Sequence, residues 1–144
     1  MVLRYVLIPL GYGRWWPTMV ATVIQRAERL YGVNPELVSI VLGAGVETNF
    51  VVTCGIRTVE EQRAAVDRGA SQTMKSKHLT GHAVDLAVLV DGKVTWGWDH
   101  YMRLSIVMKA VAKRHGVSIV WGGDWSSLKD GPHFELVQHV GVSV

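Results

Sequence analysis

Cysteine is almost missing from this chain: Cys54 stands alone among 144 residues, so no intramolecular disulfide can staple the fold. A metal site built on thiolates is not expected either. Cys54 closes the apolar run Phe50-Val51-Val52-Thr53-Cys54 and reads as a buried thiol, and synthesis in a reducing compartment fits. No uninterrupted apolar stretch is long enough to cross a bilayer, which argues against stable membrane insertion. The first ten residues carry one positive charge and a short apolar run, but Pro9 interrupts it and no small-residue cleavage site closes it, so no cleaved export signal is expected. Basic residues form no stripe interleaved with aromatics. Nucleic acid is therefore not an expected partner, although a net charge of +3 and a pI near 9.2 favour polyanionic surfaces. Repeats, low-complexity tracts and linkers are absent, and a monomeric single domain is expected over residues 1–144.

What is present suits a globular α+β domain: 49% of residues are apolar and 19% charged. Val20, Val23, Ile24, Ala27 and Leu30 recur at helical spacing after Pro17, predicting an amphipathic helix that stops at Gly32. A second helix is predicted from Asn34 as cap and Pro35 as first residue, with Leu37, Ile40, Val41 and Ala44 turned inward. Phe50 to Cys54 reads as a strand, and Thr58-Val59-Glu60-Glu61 as a capping box opening a helix that ends near Gly69. Residues 70–80 read as a loop. Ala83 to Val90 and Lys93 to Trp96 form a predicted hairpin about Asp91-Gly92, followed by a helix from Asp99 to His115 and strands over 118–121 and 133–137. The expected architecture is a small antiparallel sheet covered by helices, with the 122–132 loop delivering Asp130 and His133 to the sheet's edge.

One stretch carries the chemistry. Ser76-Lys77-His78-Leu79-Thr80-Gly81-His82-Ala83-Val84-Asp85 sets an imidazole and a carboxylate seven residues apart, with Gly81 letting the backbone bend between them. Further on, Asp130-Gly131-Pro132-His133 adds a second pair. Catalytic zinc takes three protein ligands and keeps a fourth position for water, so His78, Asp85 and His133 would form an open sphere for one Zn2+ ion, leaving Asp130 for proton transfer. A bare His-x6-Asp spacing also fits a histidine capping a loop and an aspartate paired with Lys or Arg.

Beyond the spacing, Ser76, His78, Gly81, Ala83 and Asp85 reproduce a motif, and the chain resembles the zinc D-alanyl-D-alanine peptidase superfamily, peptidase family M15, from about Asn34 to Leu136. The likeness takes in Asn34-Pro35-Glu36-Leu37, Gly55-Ile56-Arg57-Thr58, Trp121-Gly122-Gly123-Asp124-Trp125 and Pro132-His133-Phe134-Glu135, and among the superfamily's branches Gly122-Gly123-Asp124-Trp125 with Asp130-Gly131-Pro132-His133-Phe134-Glu135 looks most like phage endolysins that cut bonds between L-Ala and D-Glu. Residues 1–33 are not securely matched to it. The resemblance implies the hedgehog/D-Ala-D-Ala-peptidase-like fold, with a peptidase core over 34–137 and no separate wall-binding domain. It also implies a zinc peptidoglycan endopeptidase in which Asp130 activates a zinc-bound water and passes its proton to the leaving amine.

The resemblance further implies that Arg57 stabilises the oxyanion or holds a substrate carboxylate; a surface salt bridge to Glu60 or Glu61 is the alternative. Ser76 either hydrogen-bonds substrate or orients its loop, and Trp121 and Trp125 wall the cleft or belong to the core. Asp124 accepts the second ring N–H of a ligand histidine or caps its loop, while His82 sits near the ligands as a supporting or packing residue. Peptidoglycan stem peptides in the periplasm are the implied partner, reached with the help of a holin-type protein that permeabilises the membrane. Two rivals stay open: a D,D-carboxypeptidase or dipeptidase on the same metal site, and a non-catalytic module that keeps zinc for stability.

Overall fold

The computed structural model describes residues 16–137; the leader-like run at 1–10 lies outside them. The chain runs α1 (Trp16–Arg29), α2 (Pro35–Glu47), β1 (Phe50–Cys54), α3 (Val59–Asp67), a 3-10 turn (Lys77–Thr80), β2 (Ala83–Val90) and β3 (Lys93–Val94). It continues through α4 (Trp98–Arg114), β4 (Ile119–Trp121), a second 3-10 turn (Gly122–Asp124) and β5 (His133–Leu136). Local chemistry places the ends. The Asn34 side chain accepts from the Glu36 amide with Pro35 in the first turn of α2, and Thr58 with Glu61 completes the reciprocal capping box of α3. α4 starts at Trp98, one residue earlier than predicted. The second hairpin strand stops at Val94, because the Tyr101 hydroxyl donates to the Thr95 carbonyl (3.1 Å) and turns the chain towards α4.

All pairings in the sheet are antiparallel in the order β1-β2-β5-β4, and β3 pairs with the far half of β2. β5 is thus an inner strand, not an edge, which corrects the expected placement of His133. Alternation along β2 sends Val84, Leu86 and Val88 into the core and Asp85 to the opposite face. The core face is covered by α2, through Leu37, Ile40, Val41 and Ala44, and by α4, through Tyr101, Leu104, Met108 and Val111.

α1 departs from its predicted face. Val20, Val23 and Ile24 are 40–53% exposed, and the helix packs instead through Gln25 and Arg26, while Leu30, just past its end, is buried as predicted. The reason lies in β1, whose outer edge needs hydrogen-bond partners. Gln25 donates to the Val52 carbonyl (2.6 Å) and accepts from the Val52 amide (3.1 Å), as a neighbouring strand would. Buried Arg26 donates twice to the Phe50 carbonyl (3.0 and 2.9 Å) and once to that of Gly45 (3.2 Å), with its guanidinium 4.3 Å from the Phe50 ring centroid. An Arg26→Met variant leaves buried carbonyls without donors. It should lose about 2 to 3 kcal/mol of stability in urea unfolding, and an unchanged midpoint would contradict this account.

Candidate metal centre

Sheet register builds the centre. Asp85 is the Cα partner of His133 on one side and of Cys54 on the other, so three strands bring these residues into one row. Cys54 joins the row only because the β1–β2 register shifts between Val52 and Cys54. A bulge of this kind re-aims a side chain that strict alternation would have sent into the core. The thiol is half-buried rather than buried, and its Sγ lies 3.6 Å from His78 Nδ1 and accepts from Arg57 Nη2 at 3.3 Å.

His78 comes from the first 3-10 turn. Ser76 Oγ accepts from the His78 amide (3.3 Å), and the turn closes at Gly81, whose φ of 71° is a left-handed value that suits a residue without Cβ. The Asp130 carbonyl accepts from the His133 amide (3.3 Å), closing a reverse turn that fixes the Asp-x-x-His spacing. Gly122 holds that turn close: a Cβ there would stand 2.4 Å from the Asp130 carbonyl oxygen and 3.1 Å from His133 Cβ.

Both imidazoles point a nitrogen at the same carboxylate oxygen. His78 Nε2 is 3.2 Å and His133 Nδ1 is 3.1 Å from Asp85 Oδ1. The far nitrogens are committed as donors to oxygens that can only accept: His78 Nδ1 to the Gly55 carbonyl (2.8 Å) and His133 Nε2 to the Glu135 carboxylate (3.0 Å). Each ring is therefore fixed so that, once deprotonated, its free lone pair faces Asp85. This is the arrangement that metal-binding histidines need.

Among the described residues, potential metal donors gather in two overlapping groups, Cys54–His78–Asp85 and Asp85–Asp130–His133, each with one atom per residue within 4.8 Å of the others. The predicted trio His78, Asp85 and His133 spans both groups through Asp85. Two imidazoles and a carboxylate are a donor set that suits zinc, and the shared Asp85 oxygen shows where a cation's charge would be balanced.

Electrostatics match this geometry. Burial works against protonation of His78, but hydrogen bonds to Asp85 and Cys54 raise its pKa to about 10. His133 is also raised: burial opposes protonation and is outweighed by Asp85 and Glu135. For Asp85, burial favours the neutral acid, yet hydrogen bonds from His133 and His78 hold it well below the usual carboxylate range. Asp130 moves the other way, raised by burial and then by the neighbouring Asp85 charge, which makes it a stronger proton acceptor than an ordinary aspartate.

A cleft of about 770 Å³ opens over the row, lined by Arg57, Ser76, His78, Asp85, Trp125, Asp130 and His133 among others. Arg57 faces Asp85 (Nη2 to Oδ2, 3.6 Å) and makes none of the ion pairs to Glu60 or Glu61 that would have made it a surface residue. Trp125 stacks at a tilt on His133, with centroids 5.1 Å apart. Trp121 does not wall the cleft: it is 5% exposed, packs against Phe134 and Trp98, and donates its Nε1–H to the Gly131 carbonyl (2.7 Å). Asp124 pairs with Lys109 at the surface and bonds neither ligand ring. The His82 ring bonds Thr80 Oγ1 through Nδ1 (2.8 Å), and the residue stands outside the cleft lining.

The support expected from Asp124 is supplied by Glu135, whose other oxygen pairs with Lys77 (3.0 Å). The signal for Glu135 was available in the sequence, since a residue two along a strand shares the face of His133.

The family model described as phage L-alanyl-D-glutamate peptidase matches residues 19–137. The chain is 30% identical over 128 residues to the L-alanyl-D-glutamate peptidase of Escherichia phage T5, covering 76% of this chain and 93% of that protein. It is 48% identical over 81 residues to the L-alanyl-D-glutamate peptidase of Listeria phage A118, covering 56% of this chain and 28% of that longer protein. Among solved structures it is similar to the Serratia marcescens L-Ala D-Glu endopeptidase ChiX, with a TM-score of 0.75 and 42% identity over 78% of this chain and 86% of that one.

Proposed function

Because this chain belongs to the phage L-alanyl-D-glutamate peptidase family, we propose that it is a zinc endopeptidase that hydrolyses the L-alanyl-D-glutamate bond of peptidoglycan stem peptides. In this reading His78, Asp85 and His133 hold one zinc ion. The observation that supports it most directly is the pair of imidazoles, each anchored at its far nitrogen and turned towards one Asp85 oxygen.

Zinc, when bound, supplies Lewis acidity that polarises the scissile carbonyl and makes a water acidic enough to attack near neutral pH. Asp130 takes the attacking water's proton and passes it to the departing D-Glu amine, a task its raised proton affinity suits. Arg57 offers donors to the oxyanion or to a substrate carboxylate from the cleft wall. Trp125 supplies an apolar wall beside His133, and Ser76 keeps the His78 turn in place. The place of work is the wall in the periplasm, reached through a membrane opened by a separate holin-type protein. Among the described residues no helix is long and apolar enough to cross a membrane.

Digestion of purified muropeptides followed by mass spectrometry tests the reading. Cleavage between L-Ala and D-Glu is expected, abolished by a chelator and restored by zinc. Release of D-Ala alone would replace it with a D,D-carboxypeptidase, and no cleavage despite bound zinc with a non-catalytic module.

A further inference from the structure

Gln62 is the largest polar side chain in the described residues with no exposure at all, yet it lies outside both the metal row and the cleft lining. Its amide is fully used. The carbonyl oxygen accepts from Arg57 Nη1 (2.7 Å), and the amino group donates to Ser71 Oγ (2.9 Å) and to the Thr73 carbonyl (2.6 Å). One end therefore grips the guanidinium beside Asp85. The other end grips the segment after α3, residues 69–73, which forms one rim of the cleft.

We propose that Gln62 is a positioning residue that sets the direction of Arg57 and the height of this rim together, so that substrate seated against the rim meets a guanidinium already in place. The inference rests on the endopeptidase reading of the cleft. Its base is rigid, because α3 begins at the Thr58–Glu61 capping box directly after Arg57, and the Ala65 carbonyl accepts from the amides of Ala70 and Ser71 (2.8 and 3.0 Å). Arg57 has two further restraints, Cys54 Sγ and Asp85, but Gln62 makes its shortest bond. Among the described residues, Gln62 is the side chain from outside the rim that bonds it, the Ser71 and Thr73 hydroxyls otherwise making only local bonds.

The two ends of the amide can be separated chemically. A carboxylate accepts but cannot donate, so Gln62→Glu keeps the Arg57 contact as a charge-assisted bond and repels the Thr73 carbonyl. Gln62→Met loses both ends. On a stem-peptide substrate, Gln62→Glu is expected to keep kcat within about 3-fold while KM rises about 10-fold. Gln62→Met should lower kcat by a further 10-fold or more, on the order of one hydrogen bond to a charged group.

Two readouts need no substrate: zinc content should stay at the wild-type value in both, and hydrogen exchange of the 70–75 amides should quicken in both. Ser71→Ala, a milder change outside the core, should raise KM by about 2-fold at constant kcat and quicken the same amides, which keeps the test alive if the buried variants unfold. Equal kcat and KM losses in Gln62→Glu and Gln62→Met, or unaltered rim exchange in all three variants, would overturn the proposal. Failure of the endopeptidase reading looks different, since the wild-type protein would then leave the L-Ala–D-Glu bond intact while the exchange pattern still answered for Gln62.

Discussion

Asp130→Ala should bind zinc as the wild type does and turn over substrate about 10²- to 10⁴-fold more slowly, the usual contribution of a general acid–base group. The split follows from where Asp130 stands. It shares a donor group with Asp85 and His133, but the two imidazoles converge on Asp85 and neither is held by Asp130. Removing its carboxylate leaves all three proposed ligands and their anchors in place and takes away the raised-affinity proton acceptor. Asp130→Asn is the control for shape, because it keeps the turn and loses the base. Zinc stoichiometry measured beside kcat on both variants decides the matter. Full activity in either would remove Asp130 from the chemistry, and loss of metal would make it a ligand.

His133→Ala should instead lose metal and activity together. Its ring is the only proposed ligand from the far side of β2, and its loss also leaves Glu135 facing Lys77 with no imidazole to hold. With two ligands left of three, affinity should fall by several orders of magnitude, and the purified variant should contain little zinc after dialysis. Activity should not be restored by the micromolar zinc that reloads a chelated wild-type sample. A variant that kept stoichiometric zinc would show that the ion is held by the Cys54–His78–Asp85 group without His133.

Much of this is legible in the sequence. α2 and α3 begin at Asn34 and Thr58 because a side-chain cap is a short-range event that sequence states directly. The convergence of His78, Asp85 and His133 was expected from the motif and the resemblance it carries, not from the His-x6-Asp spacing alone. What escaped depends on register between distant strands. Nothing local in Phe50-Val51-Val52-Thr53-Cys54 announces the slip that turns Cys54 to the cleft, and nothing near His133 says that β4 will cover its outer side. α1 misled for a related reason: its valines and isoleucine have helical spacing, but the helix is held by two polar side chains that serve the backbone of β1. Trp121 and Trp125 flank the same glycine pair, and only packing separates the core residue from the cleft residue.

The inner position of β5 also bears on the time at which the molecule becomes active. His133 takes its place only when a segment some fifty residues downstream of Asp85 has been inserted between two strands, a non-local pairing of the kind that slows folding. A nascent polypeptide still short of that segment lacks one proposed ligand and the proposed proton acceptor alike, so the candidate centre is complete only once residues 130–133 have been made and folded into place.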